Sequence, residues 1–355
     1  MLKIKIAFGV ATAIFYCGLA AAQQSGTLPT VKIIATGGTI AGEAATSAQA
    51  AYTSGQVGVD TLIKAVPTLS KVARVSGEQI SNVGSQDMSD EIWLKLAKRV
   101  NQVAASPDVD GIVITHGTDT MEETAYFLDL VVKSNKAVVL TGAMRPSTAL
   151  SADGPLNIYN AVAVAADRQA AGRGVLVSIN DQIHSAHDIT KMHTTATDTF
   201  MSPYRGLIGA TTYGVSQYYR YPFKKHTTAT PFNVNAATSL LRVDILYIYE
   251  DMPADLVDAA VKAGAKGIVA AGVGNGNMPK AVTDALARAA QAGVVVVRAS
   301  RVTLGFVGRN VEVDDDKMNF VAAEELNPPK ARVLLRLALT KTTDPKQIQQ
   351  MFNEY

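Results

Sequence analysis

The sequence predicts an α/β protein in two domains, a larger N-terminal one with a mostly parallel sheet flanked by helices and a smaller C-terminal α/β domain. Three observations predict it. Short β-branched runs alternate with capped apolar-periodic segments from Val31 to about residue 180, the rhythm of strand–helix–strand units. That rhythm lapses over residues 182–241 and resumes at Val243, which separates two domains. Thr, Ser, Gln and Asp gather just after the strands, and carboxyl ends of strands are where open α/β sheets bind ligands.

Val31-Lys-Ile-Ile-Ala35 reads as the first strand and ends in Thr36-Gly-Gly-Thr-Ile-Ala-Gly42. Two adjacent glycines permit a tight turn that presents Thr39. Residues 43–56 are small and polar without an apolar period, which predicts a lid loop whose one large side chain is Tyr52. A strand around 72–83 ends in Gly84-Ser-Gln-Asp87, and Ser89 or Asp90 caps a helix through Ile92, Leu94, Leu96 and Val100. Gly111-Ile-Val-Ile-Thr115 has the composition of a strand buried on both faces. It breaks at His116-Gly117, and Thr120 with Glu123 reads as a capping box for the following helix. Thr118 and Asp119 therefore stand between a strand's carboxyl end and a helix's amino end, where the dipole favours anions.

Further strands are read at Ala137–Thr141 and Gly174–Ile179, with a helix from about Pro155 to Asp167 between them. His226-Thr-Thr-Ala-Thr-Pro231 has the composition of a linker. In the second domain, strands are read at Val243–Tyr249, Gly267–Ala271 and Val294–Val297, and the last helix from about Pro329 to Leu339. The expected boundaries are 30–219 for the larger domain, 220–241 for the linker and 242–355 for the smaller domain.

Residues 1–22 resemble a cleaved secretory signal peptide: Lys3 and Lys5, an apolar run from Ile6 to Leu19, then Ala20-Ala21-Ala22. The run is shorter than the ~20 residues a membrane span requires. Removing it leaves 31 basic and 31 acidic residues, so net charge gives no case for nucleic acid or an anionic membrane as partner. It also removes Cys17, the single cysteine, and with it any disulfide, thiol nucleophile or thiolate metal site. The expected location is periplasmic or extracellular. No P-loop, G-x-S-x-G elbow or H-E-x-x-H is present. Gly272-Val-Gly-Asn-Gly-Asn277 lacks the spacing of a dinucleotide loop, so no nicotinamide cofactor is expected.

Thr39 and Thr118 are the hydroxyls placed for nucleophilic work, and a threonine hydroxyl needs a base to take its proton. His184, His187 and His193 cluster in sequence without a helical period or an acidic partner geometry, so a surface role is expected for them and no metal. His116 is expected to orient its loop. Lys191 is the alternative base, since a buried lysine beside a carboxylate can serve.

Thr36-Gly-Gly-Thr-Ile-Ala-Gly42 together with Gly111-Ile-Val-Ile-Thr-His-Gly-Thr-Asp-Thr-Met-Glu-Glu-Thr124 resembles the two signature motifs of bacterial L-asparaginases, most closely the secreted type II enzymes. The resemblance spans nearly the whole mature chain, through Gly84-Ser-Gln-Asp-Met88, Ser151-Ala-Asp-Gly154, Ala271–Asn277 and Asn327-Pro-Pro-Lys-Ala-Arg332. It implies hydrolysis of L-asparagine to L-aspartate and ammonia through a covalent acyl-enzyme, without metal or cofactor. It implies Thr39 as nucleophile assisted by Tyr52, and Thr118, Lys191 and Asp119 as a proton-relay triad. It further implies that Asp119, Ser85 and Gln86 hold the amino-acid end of the substrate. Asn277 and Glu312 come from a neighbouring subunit in that family, which is typically a homotetramer.

Gln86 and Asn277 follow the family's asparagine-preferring pattern, where strong glutaminases often carry Glu and Ser. Glutamine is therefore expected as a slower substrate, because one methylene in a pocket discriminates by only ~1–3 kcal/mol. Two other readings stand beside this one. A periplasmic amino-acid binding protein shares export and two α/β domains but binds without turnover, and a glutaminase-first enzyme differs in the ratio of kcat/KM for the two amides.

Overall fold

The computed structural model describes residues 27–43, 45–46, 53 and 55–355. The leader and Tyr52 lie outside the described residues. The larger domain holds strands β1 (Thr30–Gly37), β2 (Arg74–Val83), β3 (Gly111–Thr115), β4 (Ala137–Thr141), β5 (Val175–Ile179) and β6 (Gln182–Ser185). A two-residue pair, β7 (Thr190–Lys191) and β8 (Phe200–Met201), precedes β9 (Gly209–Thr212) and β10 (Val215–Tyr218). Its helices are α1 (Val59–Lys64), α2 (Asp90–Ala105), α3 (Met121–Val131) and α4 (Gly154–Ala166). The smaller domain holds β11 (Val243–Tyr247), β12 (Gly267–Gly272), β13 (Val295–Ser300) and β14 (Phe320–Ala322). Its helices are α5 (Asp255–Lys262), α6 (Lys280–Gln291), α7 (Asp315–Met318), α8 (Pro328–Ala338) and α9 (Pro345–Glu354).

The large sheet runs β10-β9-β6-β5-β4-β3-β1-β2 and the small one β11-β12-β13-β14. Pairing is parallel from β2 to β5 and throughout the small sheet, and antiparallel from β5 to β10. The α/β architecture with a mostly parallel larger sheet is thus the one the alternating pattern predicts. The lapse after residue 180 corresponds to a change of strand direction, which needs no crossover helix.

One feature of the strand order decides where a ligand fits. From β1 the chain goes outward to β2, then returns over β1 to β3 and continues the other way through β4 and β5. The crossovers diverge between β1 and β3, opening a crevice at their carboxyl ends. Thr39 follows β1 and Thr118 follows β3, and Ala35 is paired with Thr115, so both loops rise side by side from that crevice.

Alternation along the strands divides the interior into two layers. Ile112 and Ile114 point into a core with α2 and α3, while Val113 joins Val31 and Ile33 in a core with α1 and α4. The first of these cores continues into the smaller domain through Leu334, Leu335 and Leu337 of α8. Trp93 of α2 stacks on Phe127 of α3 at 4.8 Å and donates to Thr124 Oγ1 at 2.8 Å. The tail of the linker segment packs inward as well, since Phe232 and Val234 are buried and Lys133 Nζ donates to the carbonyls of Thr227 and Thr230, each at 2.8 Å.

Two sequence readings need correction. The helix read from 329 to 339 is not the last, because α9 follows it. Asp344 caps α9, Ile348 and Phe352 bury its inner face, and Gln349 pairs with both the amide and the carbonyl of Ala322, covering the edge strand β14. The capping box does not form either. The Thr120 hydroxyl instead donates to Ser85 O at 2.7 Å, a tertiary partner that competes with the helix's own amides.

Candidate active site

The site is built on three backbone turns in contact. Gly38 adopts φ +85°, and a Cβ there would stand 2.3 Å from Gly117 Cα and N. A Cβ on Gly117 would in turn lie 2.6 Å from Ser85 Oγ. Only glycine permits this approach, and it brings the Thr39 turn, the Thr118 loop and the Ser85 turn together. Asp119 N donates to Ser85 Oγ at 3.1 Å, which locks the second and third turns to each other. Thr39, Ser85 and Thr118 are all buried.

Lys191 reaches the Thr118 loop. Its Nζ donates to Thr118 Oγ1 at 2.9 Å and to Asp119 Oδ1 at 2.6 Å. Lys191 is not on the main sheet but on the isolated pair β7–β8, which lays its side chain over the β3 loop. The Asp119 side chain remains 64% exposed, so it keeps a free side toward solvent while bound to the lysine. A hollow lined by Asp119, Glu122, Lys191, Met192, His193 and Thr194 opens beside the pair. Glu122 escaped the sequence reading; its position two residues before Thr124 on an amphipathic helix reads as an ordinary solvated face.

The described residues flanking the segment read as a lid are anchored on the same turn. Glu43 and Thr53 form a bridge at 3.1 and 3.0 Å, Gly55 N donates to Gly38 O at 3.2 Å, and Gln56 N and Val57 N both donate to Ala41 O. Gln86 is exposed and donates to Asp87 at 3.2 Å. Asn277 donates to Glu312 across the turns after β12 and before α7, and neither lines the hollow beside Lys191. Within one chain, then, Thr39, Ser85, Thr118, Asp119 and Lys191 converge, whereas Asn277 and Glu312 form a separate pair.

Those two turns share one anchor. Arg298 of β13, 1% exposed, grips both oxygens of buried Asp315 at 2.6 and 2.7 Å. It also donates to Asn275 O and Gly308 O, each at 3.0 Å.

The histidines do not share a task. His184 and His187 are buried rather than at the surface, because residues 182–185 form an interior strand and the chain after it stays inside. His184 meets Ser202 Oγ at 2.9 Å, His187 meets Asp188 at 2.8 Å, and His193 accepts the amides of Thr195 and Ala196. His116, also buried, bonds Gly117 O through Nδ1 at 2.7 Å and so orients the loop. Its proton therefore sits on Nδ1, and Nε2 has no partner among the described residues.

Burial pulls both His116 and His184 down from 6.5 to about 4. The unfolded chain binds a proton at each as pH drops below 6.5, and the folded chain does not until about 4. Stability supplied by each neutral ring is complete above 6.5 and declines with acid in that window, by up to about 1.4 kcal/mol per pH unit. Asp129 opposes this, since burial raises its carboxyl to about 7 and the folded chain keeps that proton. His184→Asn, which retains a polar atom for Ser202, is expected to flatten the acid limb by one proton. Urea unfolding at pH 7 and pH 5 measures it, and an unchanged pH slope would refute the assignment.

Comparison with known proteins agrees along the whole described chain. A model of the N-terminal asparaginase family matches residues 30–223, and one of the glutaminase/asparaginase C-terminal domain matches 242–352. The chain is 56% identical over 328 residues to a probable periplasmic L-asparaginase of Haemophilus influenzae, covering 92% of this chain and 93% of that protein. It is 55% identical over 331 residues to L-asparaginase 2 of Escherichia coli, covering 92% and 94%. It is 49% identical over 330 residues to a glutaminase-asparaginase of Pseudomonas fluorescens biotype A, covering 92% and 91%. The crystal structure of a probable cytoplasmic L-asparaginase from Campylobacter jejuni superposes with a TM-score of 0.90 at 49% identity, covering 92% of this chain and all of that one.

Proposed function

The chain belongs to the asparaginase family, and from that premise we propose that it hydrolyses L-asparagine to L-aspartate and ammonia through a threonine acyl-enzyme. The observation that carries the proposal is the Lys191 Nζ bridging Thr118 Oγ1 and Asp119 Oδ1, in the crevice from which the Thr39 turn rises. The relatives named for L-asparaginase activity support the substrate.

In the proposed reaction Thr39 Oγ attacks the side-chain amide carbon, and the C–N bond breaks as the departing nitrogen takes up a proton and leaves as ammonia. Water then attacks the resulting ester, aspartate is released, and Thr39 Oγ regains its proton. Thr118 and Lys191 relay the proton, Asp119 offsets the ammonium charge that forms on Lys191, and Tyr52 of the lid assists Thr39. Such positioned proton transfer contributes typically 10²–10⁴-fold.

A zwitterionic amino acid needs an anion for its ammonium and donors for its carboxylate. The exposed side of Asp119 serves the first, with Ser85 and Gln86 serving the ends of the substrate. Asn277 and Glu312 of a neighbouring subunit complete the site in a homotetramer, a reading supported by their separation from the Lys191 hollow within one chain. The leader composition and the periplasmic relative support export of this chain to the periplasm.

Ammonia release from asparagine and from glutamine by the wild-type protein tests the proposal. Asparagine is expected to have the higher kcat/KM, by about 10–200-fold, the range one methylene allows. Binding of asparagine without release of ammonia would overturn it, and equal rates on the two amides would overturn the preference.

A further inference from the structure

Lys191 is held by very little sheet. β7 is two residues long, pairing Thr190 with Met201 and Lys191 with Phe200. Yet its Nζ reaches two loop atoms at 2.9 and 2.6 Å, so something else fixes the backbone that carries it.

That support comes from the smaller domain. Lys330 lies in the first turn of α8, where the helix dipole disfavours a cation, and is 2% exposed. Its ammonium donates to His187 O at 2.7 Å and to Ile189 O, the carbonyls immediately before β7. Asn327 caps the same helix by accepting from Lys330 N at 3.1 Å, and it donates to Thr190 Oγ1 and Glu122 Oε2, each at 3.4 Å. Glu122, Asp129, Asp188 and Glu325 surround the buried charge and offset its desolvation. A cation at a helix amino end, out of water, is justified by what it grips: two carbonyls, those of His187 and Ile189, in the segment leading into Lys191.

We propose that Lys330, together with Asn327, is a positioning residue for the reaction, fixing the backbone of residues 187–190 from α8 so that Lys191 Nζ meets both Thr118 and Asp119. The proposal rests on the reading of Lys191 as the relay base. It gives the smaller domain a role within its own chain's site, apart from any residue it lends to a neighbour.

The test is a double-mutant cycle on the full-length enzyme. Lys330→Met is expected to lower kcat by about 10²-fold, the loss that a displacement of roughly 1 Å brings, with KM little changed. In a Lys191→Gln background the same substitution is expected to cost nothing further, because the group it positions is already gone. A merely structural role would lower both backgrounds equally, and that result, or unchanged kcat in the single variant, overturns the proposal. If Lys330→Met does not fold, Asn327→Ala carries the same cycle, with a smaller loss that again vanishes beside Lys191→Gln. Wild-type turnover by Lys191→Gln alone would instead remove the base from the proposed reaction, and this inference with it.

Discussion

Thr39→Ala is expected to abolish asparagine hydrolysis, with a loss on the order of 10⁶ in kcat, the size that follows removal of an activated nucleophile. Thr118→Ala is expected to lose about 10²–10⁴, the contribution of positioned proton transfer. The difference follows from what each hydroxyl does in the proposed reaction. Without Thr39 no acyl-enzyme forms, whereas without Thr118 the acyl-enzyme still forms, but slowly. The hydroxyl in direct contact with Lys191 is that of Thr118, at 2.9 Å, so geometry alone makes Thr118 the rival for first attack. Acid quench during turnover followed by peptide mass analysis separates the two. An aspartyl adduct on the peptide bearing Thr39, present in wild type and absent in Thr39→Ala, is the expected result. The adduct on the peptide bearing Thr118 would exchange the roles, and full activity in both variants would end the threonine mechanism.

How much of this is legible in the sequence depends on how local each signal is. β1, β3, β4 and β5 are parallel and covered on both faces, so their β-branched runs show at once. The loops after β1 and β3 were equally plain, because paired glycines and a strand-to-helix break are written in adjacent residues. Their meeting was not, since it depends on β1 and β3 being neighbours in a strand order that reverses between them. Lys191 lies 73 residues from Thr118, and no local pattern distinguishes it from a solvated lysine. Lys330 was harder still: in a helix reading Pro-Pro-Lys-Ala-Arg it has the look of an outer face, and only its 2% exposure reveals the clamp. The capping box failed for the opposite reason. Thr120 and Glu123 have the right spacing, but the fold supplied the Thr120 hydroxyl with Ser85 O, and tertiary context overrode the local rule. Helix α9 is faint in the sequence because its inner stripe is short and set among glutamines, although Asp344-Pro345 is an ordinary start signal.

Arg298→Met is expected to destabilise the fold by about 3–5 kcal/mol, the cost of leaving one member of a buried ion pair without the other. Asp315 is fully buried and would keep Asn310 N at 2.8 Å as a partner, but lose both guanidinium bonds. Asn275 O and Gly308 O lose their donor in the same step. Because Met fills roughly the volume of the arginine stem, the loss reports charge and hydrogen bonding more than a cavity. Urea unfolding gives the number directly, and a cost under about 1 kcal/mol would place the pair with exposed ion pairs instead. Replacing both members, Arg298→Met with Asp315→Leu, is expected to cost less than the single change, since no uncompensated charge remains. It should not return to wild type. The turns after β12 and before α7 keep Gly308 N to Asn275 Oδ1, at 2.9 Å, and the Asn277–Glu312 hydrogen bond as direct ties, but Asn275 O and Gly308 O are left without the donor they share. The guanidinium therefore does more than neutralise Asp315. It bonds both turns at once, through Asn275 O and Gly308 O, so the spacing of Asn277 and Glu312 depends on it even when the buried charge is removed.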